Sequence, residues 1–163
     1  MSRPVTVGVR ATLLLTVAGA TAWVTGVPAL FPSLGPSAFV LAFRDRGPTA
    51  RAVVGGHAVG VVCGLFAYAL VATAFAVPAT PLDFGTPWLV LSGVAAVGLT
   101  SSGMIAADAV HPPACATTLI VALGLMSTLW EAALVLPAVA SLLLVDAALA
   151  RYLPVSPVNA ASR

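Results

Sequence analysis

Charged residues are scarce in this chain. Asp, Glu, Lys and Arg make up only 7% of its 163 residues, whereas soluble domains carry about 25%. Hydrophobic residues account for 60%, and the mean hydropathy is +1.08. This composition excludes an ordinary soluble domain and leaves no stretch for an added soluble module. We therefore predict one transmembrane domain over residues 1–163, an all-α polytopic helical bundle with the lipid bilayer as its first partner.

The chain also lacks the patterns of an enzyme, a metal protein or a nucleic-acid binder. Its two cysteines, Cys63 and Cys115, lie in apolar segments without metal-ligand spacing. We find no nucleophile with a base at usable spacing and no glycine-rich phosphate loop after a strand. The net charge of +2 is too small and too scattered for a nucleic-acid footprint. We expect no catalytic residues, no metal, no cofactor and no nucleic-acid partner.

The proline positions divide the apolar sequence. Residues 11–43 carry no charge, which is too long for one crossing of about 20 residues. Pro28, Pro32 and Pro36 supply a break. This pattern predicts helices at 7–24, 52–75, 87–107 and 130–150, proline-broken crossings at 28–43 and 111–125, and an extracytoplasmic loop at 77–86. The alternative has four transmembrane helices and two re-entrant segments.

Arginine placement favours six crossings. With the N-terminus inside, six crossings put all seven basic residues on the cytoplasmic side, as the positive-inside rule requires. The re-entrant alternative places one arginine cluster outside. The residues concerned are Arg3, Arg10, Arg44, Arg46, Arg51, Arg151 and Arg163. We therefore predict a plasma-membrane protein with both termini cytoplasmic.

The two broken crossings suggest a 3+3 inverted repeat over residues 7–76 and 84–151. Half-helices would start at about Ser37 and Pro113 and face each other near mid-membrane. Their N-termini would favour a small anion. The predicted substrate-binding residues are Gly35, Pro36, Ser37, Ala38, His57, His111, Pro112, Pro113, Ala114 and Thr117.

Several polar residues have two interpretations. His111 either bonds a carbonyl freed by the prolines or lines a cavity, where it would bind substrate or carry a proton; we prefer the cavity. His57 is equally a packed histidine or a site residue. Asp108 could relay a proton with His111 or cap its segment. We expect Asp146 to pair with an arginine at the interface, and the nearby glycines to permit close helix packing.

Three segments resemble the HPP family of integral membrane proteins. They are His111-Pro112-Pro113-Ala114, the stretch 35–43, and the stretch 51–60 with Gly55-Gly56-His57. The chain departs from the family pattern at Pro36 and Cys115. Some members of this family are associated with nitrite transport, and the family is often described with four helices.

The leading functional hypothesis is a transporter or channel for a small monovalent anion, with nitrite as the first candidate. The alternative is a structural or sensory membrane subunit without transport activity, in which the prolines are packing devices. A membrane enzyme is the weakest class. Because six short crossings make a thin bundle, we expect a homo-oligomer.

Overall fold

The computed structural model describes residues 2–43, 48–75 and 87–155. Within these ranges every regular element is a helix, which confirms the all-α bundle. The helices are α1 (Arg3–Thr25), α2 (Leu30–Phe43), α3 (Ala50–Phe75), α4 (Pro87–Ala106), α5 (Cys115–Ala122), α6 (Leu129–Ala133) and α7 (Val135–Tyr152), and a 3-10 turn (Pro112–Ala114) precedes α5. The predicted loop at 77–86 lies outside the described residues.

Four segments in the described residues are long and apolar enough to cross a membrane. They are Arg3–Thr25, Ala50–Phe75, Pro87–Ala106 and Leu129–Tyr152, the last of which joins α6 and α7. The predicted bounds of these four segments are correct to within four residues at each end. The two shorter apolar helices are Leu30–Phe43 and Pro112–Ala122. At 1.5 Å per residue, neither reaches the roughly 30 Å of a hydrocarbon core as a helix alone.

The chain reverses between α1 and α2 at Gly26, which has a φ of 69°. Gly26 N–H donates to Trp23 O and Val27 N–H donates to Ala22 O, the paired bonds of a Schellman cap. α2 then runs back along α1, because Arg10 near the start of α1 reaches the carbonyl of Leu41 near the end of α2. α2 therefore ends on the side where α1 begins.

The predicted half-helix start at Ser37 is wrong. α2 is continuous from Leu30 to Phe43, with Pro36 inside it. Proline at this position removes one backbone hydrogen bond, and packing of α2 against α1, α5 and α7 maintains the helix despite that loss. The actual break lies earlier, at residues 26–29, where Gly26 can adopt a left-handed conformation.

The segment 109–124, which follows α4, runs along α3 and in the same direction. Its Ala109 lies beside Gly55, and Gly124 beyond α5 lies beside Tyr68. The final span returns, because the carbonyl of Leu153 accepts a hydrogen bond from Arg10. Successive helical segments of the described chain thus run in alternate directions, and Arg10 and Leu153, near its two ends, lie together.

Large apolar side chains cover the outside of the bundle. Phe66, Val94, Ile105 and Leu144 are each more than half exposed, as expected for residues that face lipid. The exposed hydroxyl of Thr12 donates to Gly8 O in its own helix at 3.0 Å. Thr16, Ser101 and Ser141 likewise donate to a carbonyl of their own helix, which satisfies these hydroxyls without water.

Candidate functional site

A glycine stripe on α3 admits the segment that carries the His-Pro-Pro triplet. A Cβ built at Gly56 would lie 2.7 Å from His111 Cβ, and one at Gly60 would lie 3.1 Å from the Ala114 carbonyl oxygen. Gly64 makes a similar approach, 2.8 Å from Val121 Cβ. The predicted close packing is confirmed, and it brings the backbone of the broken segment directly against α3.

The His-Pro-Pro triplet forms the entrance to α5. Pro112 and Pro113 occupy the first positions of the 3-10 turn, where a missing N–H leaves no donor unpaired. Ala114 N–H donates to His111 O at 3.0 Å, and Cys115 N–H donates to the proline carbonyls. The first four residues of this helical segment therefore present no unpaired N–H group, because the two prolines have none and the turn bonds those of Ala114 and Cys115.

Five buried side chains form one hydrogen-bonded chain, which we call the Ser–His chain. Ser33 Oγ lies 2.7 Å from Thr117 Oγ1, which lies 2.7 Å from His57 Nδ1. His57 Nε2 is 2.9 Å from Ser37 Oγ, which is 2.9 Å from His111 Nε2. No member exceeds 2% exposure. The chain joins α2, α3, α5 and the residue before the 3-10 turn.

The Ser–His chain accepts two opposite proton arrangements. In one, His111 Nε2–H donates to Ser37, Ser37 donates to His57 Nε2, and His57 Nδ1–H donates to Thr117. In the other, Thr117 donates to His57 Nδ1, His57 Nε2–H donates to Ser37, and Ser37 donates to His111. Each imidazole is neutral and carries one N–H in both arrangements. The geometry therefore permits either direction of donation.

The sequence prediction is only partly reflected in this cluster. Ser37, His57, His111 and Thr117 come together as a group. Pro36 is exposed, and a Cβ built at Gly35 has nothing within 4 Å. Other predicted residues pack nearby without joining the chain: Ala38 is buried against the apolar side chains of α1 and α7, Pro112 is exposed, Pro113 is half-buried and Ala114 packs on Gly60.

Sequence reasoning missed Ser33. Ser33 and Ser37 are four residues apart and so lie on one face of α2, a spacing that could have identified it. A second buried hydroxyl pair, Thr100 with Thr118 at 3.0 Å, ties α4 to α5. Within the described residues, no three His, Cys, Asp or Glu side chains gather as metal ligands.

Asp108 lies away from the Ser–His chain. Its side chain is 91% exposed and its carboxylate is 3.8 Å from Arg51 Nη2. Arg51 also donates to the carbonyl of Ala107 at the end of α4. Asp108 has a φ of 50° and occupies the left-handed cap position after α4. The structure thus shows it as a helix cap, while His111 is buried.

Arg10 and Asp146 form a separate buried ion pair. Arg10 Nη2 donates to Asp146 Oδ1 at 2.7 Å, and the two side chains are 4% and 16% exposed. Arg10 also donates to the carbonyls of Leu41 and Leu153. The predicted pairing of Asp146 with an arginine is confirmed, and this pair joins α1, α2 and α7.

These features define a polytopic helical membrane protein with a polar centre. A family model described as the HPP transmembrane region matches residues 3–153. The chain therefore belongs to the HPP family of integral membrane proteins. No curated protein and no solved structure matches it.

Proposed function

We propose that this protein is a membrane transporter or channel for a small monovalent anion, with nitrite as the first candidate. The observation that carries the proposal is the Ser–His chain, five buried polar side chains between apolar helices. Polar and ionisable groups inside a membrane protein are costly and mark substrate pathways. The association of some HPP family members with nitrite transport supports this substrate.

The donors of the Ser–His chain suit an anion with oxygen acceptors. Imidazole N–H and hydroxyl groups donate, and Ser37 Oγ lies 2.9 Å from both His57 Nε2 and His111 Nε2. An anion that displaces the bonds at Ser37 would meet three donors in one place. Because the N–H groups of Ala114 and Cys115 are already bonded within the turn, we propose these side chains, rather than a half-helix N-terminus, as the binding groups.

Access to this site requires movement. Every member of the Ser–His chain is buried, and the members bond one another in the described conformation. The Ser–His chain lies between α2 and α5, which belong to the two apolar helical segments that are shorter than the four long spans. We propose that these helices separate to admit the anion and then close over it.

The burial of the Ser–His chain also favours a second candidate function, that of a structural or sensory subunit. A buried polar network whose members satisfy each other can also specify the packing of a bundle. In that case α2 and α5 stay together, and the protein transports nothing by itself.

Uptake into proteoliposomes tests the proposal. Labelled nitrite should enter vesicles that contain the protein in a saturable manner, and Ser37→Ala should reduce that uptake at least about tenfold. Ser92→Ala is the matched control, because Ser92 is a buried hydroxyl on α4 that donates to the Ala122 carbonyl and, among the described residues, bonds no member of the Ser–His chain. No saturable uptake of nitrite or any other small anion would refute transport and leave the structural candidate.

We further infer a plasma-membrane protein with both termini cytoplasmic that acts without enzymatic chemistry. The contact of Arg10 with Leu153 supports placing the two ends of the chain on one side, and the arginines of the sequence assign that side to the cytoplasm. A homo-oligomer is proposed on the small size of the bundle. Protease accessibility of tagged termini in inverted vesicles tests the orientation.

A further inference from the structure

We propose that the site binds one proton with each anion, so that the protein carries the two together without net charge. This inference rests on the proposed anion transport and specifies its coupling. It follows from the charges around the Ser–His chain and from the way its two histidines share Ser37.

The surroundings of the Ser–His chain offer no fixed positive charge among the described residues. The described parts of α2, α4 and α5 contain no Asp, Glu or Arg. On α3, Arg51 is 71% exposed and faces Asp108. On α1 and α7, Arg10 is neutralised by Asp146, and Arg3 and Arg151 lie in the terminal turns of these helices. On α6, Glu131 caps its own helix through Thr128. The neighbouring Cys115 side chain is half-buried.

A buried anion needs a counter-charge. Moving an unpaired ion out of water into an apolar interior is strongly unfavourable unless a partner neutralises it. The groups in the Ser–His chain that can become positive are His57 and His111. With the counter-charges that the described residues offer, anion binding requires that one imidazole take up a proton, and the loaded site then carries no net charge.

The geometry limits that uptake to one proton. The rings of His57 and His111 have centroids 5.5 Å apart, so two imidazolium ions would repel each other across a medium of low dielectric. Both Nε2 atoms lie 2.9 Å from the same Ser37 oxygen. Whichever ring is protonated can thus donate its Nε2–H to Ser37 or to an anion beside Ser37.

Ser37 also provides a path between the two rings. A proton on His111 Nε2 passes to Ser37 Oγ while the hydroxyl proton of Ser37 passes to His57 Nε2. His111 becomes neutral, His57 becomes positive, and Ser37 ends with one proton as before. The two hydrogen bonds at Ser37 reverse their direction, whereas His57 Nδ1–H donates to Thr117 before and after the transfer.

The coupling is tested by measuring the balance point, which is the nitrite gradient across a proteoliposome membrane at which the net nitrite flux is zero. With one proton per anion, a pH difference of about one unit balances an opposing nitrite gradient of about tenfold, whatever the membrane potential. Potassium and valinomycin set the potential. The medium is alkaline, and the flux through protein-free vesicles is subtracted, because nitrous acid crosses lipid unaided.

We expect the balance point to follow the pH difference and to be unchanged when the potential is altered. A balance set by the potential and indifferent to pH would overturn proton coupling while leaving anion transport intact. Absence of any protein-dependent flux would overturn both. Ser37→Ala should lower proton-driven uptake at least about tenfold, and Ser92→Ala should retain the wild-type rate and balance point; an unchanged rate in Ser37→Ala would exclude the serine bridge.

Discussion

The contact between Gly55 and Ala109 allows the close approach to α3 to be tested by exchanging the two residues, with Gly55→Ala and Ala109→Gly made singly and together. A Cβ built at Gly55 would lie 2.8 Å from Ala109 Cβ, and no other neighbouring atom is within 4 Å. Carbon atoms pack best about 3.5–4.0 Å apart, so Gly55→Ala creates an overlap of about 1 Å. Ala109 is buried, and it cannot rotate its methyl group away.

The expected cost follows from two opposing effects. Overpacking a tight site costs about 1–3 kcal/mol, whereas Gly→Ala inside a helix gains about 1 kcal/mol. Gly55→Ala should therefore lower the free energy of unfolding by up to about 2 kcal/mol. Ala109→Gly alone loses a buried methyl group, worth about 0.8 kcal/mol. In the double variant the overlap is absent, so a favourable coupling of about 1–3 kcal/mol is expected.

The assay is unfolding of the purified protein in mixed detergent micelles, followed by circular dichroism of the helices. Gly98→Ala serves as the control, because a Cβ there meets nothing within 4 Å and helix propensity alone should stabilise it. If Gly55→Ala proves as stable as Gly98→Ala, or if the double variant shows no coupling, the close approach of this segment to α3 is wrong.

Three further predictions use the same unfolding measurement. Asp146→Asn should cost about 3–5 kcal/mol because it leaves the Arg10 charge buried without its partner, and Arg10→Met with Asp146→Leu should cost much less; equal losses would contradict a buried pair. Asp108→Val should destabilise by about 1–2 kcal/mol because its φ of 50° disfavours a β-branched residue, whereas Asp108→Gly should be tolerated. Thr118→Val should cost about 1–3 kcal/mol because the Thr100 hydroxyl then lacks its partner; an unchanged stability would show that this bond contributes nothing.

The helix positions followed from the sequence where a single physical constraint dominated. The long apolar runs had to be helical, because a lipid environment leaves backbone groups no other partner. Pro36 shows where such reasoning fails. A proline predicts a lost hydrogen bond, but whether the helix ends there depends on the packing around it, and α2 continues through Pro36.

In the site, too, some residues could be identified from the sequence and others only from the packing of the helices. His111 and Ser37 were identifiable because an imidazole and a hydroxyl beside prolines in an apolar segment are unusual. His57 had two equal interpretations until its bonds to Ser37 and Thr117 were known. Ser33 lies four residues before Ser37 and so on the same helix face, but nothing else in the sequence marks it as a site residue. Asp108 is near His111 in the chain, yet its side chain is exposed beside Arg51.

The sequence by itself determined the membrane class, the all-helical fold, the family and the approximate bounds of the long spans. These properties depend on composition and local periodicity, which each segment carries alone. The tertiary structure decided that two histidines from distant segments meet on one serine, and that glycines on α3 make room for the triplet. Such contacts join residues 20 and 74 positions apart, and only the packing of helices can set their distance.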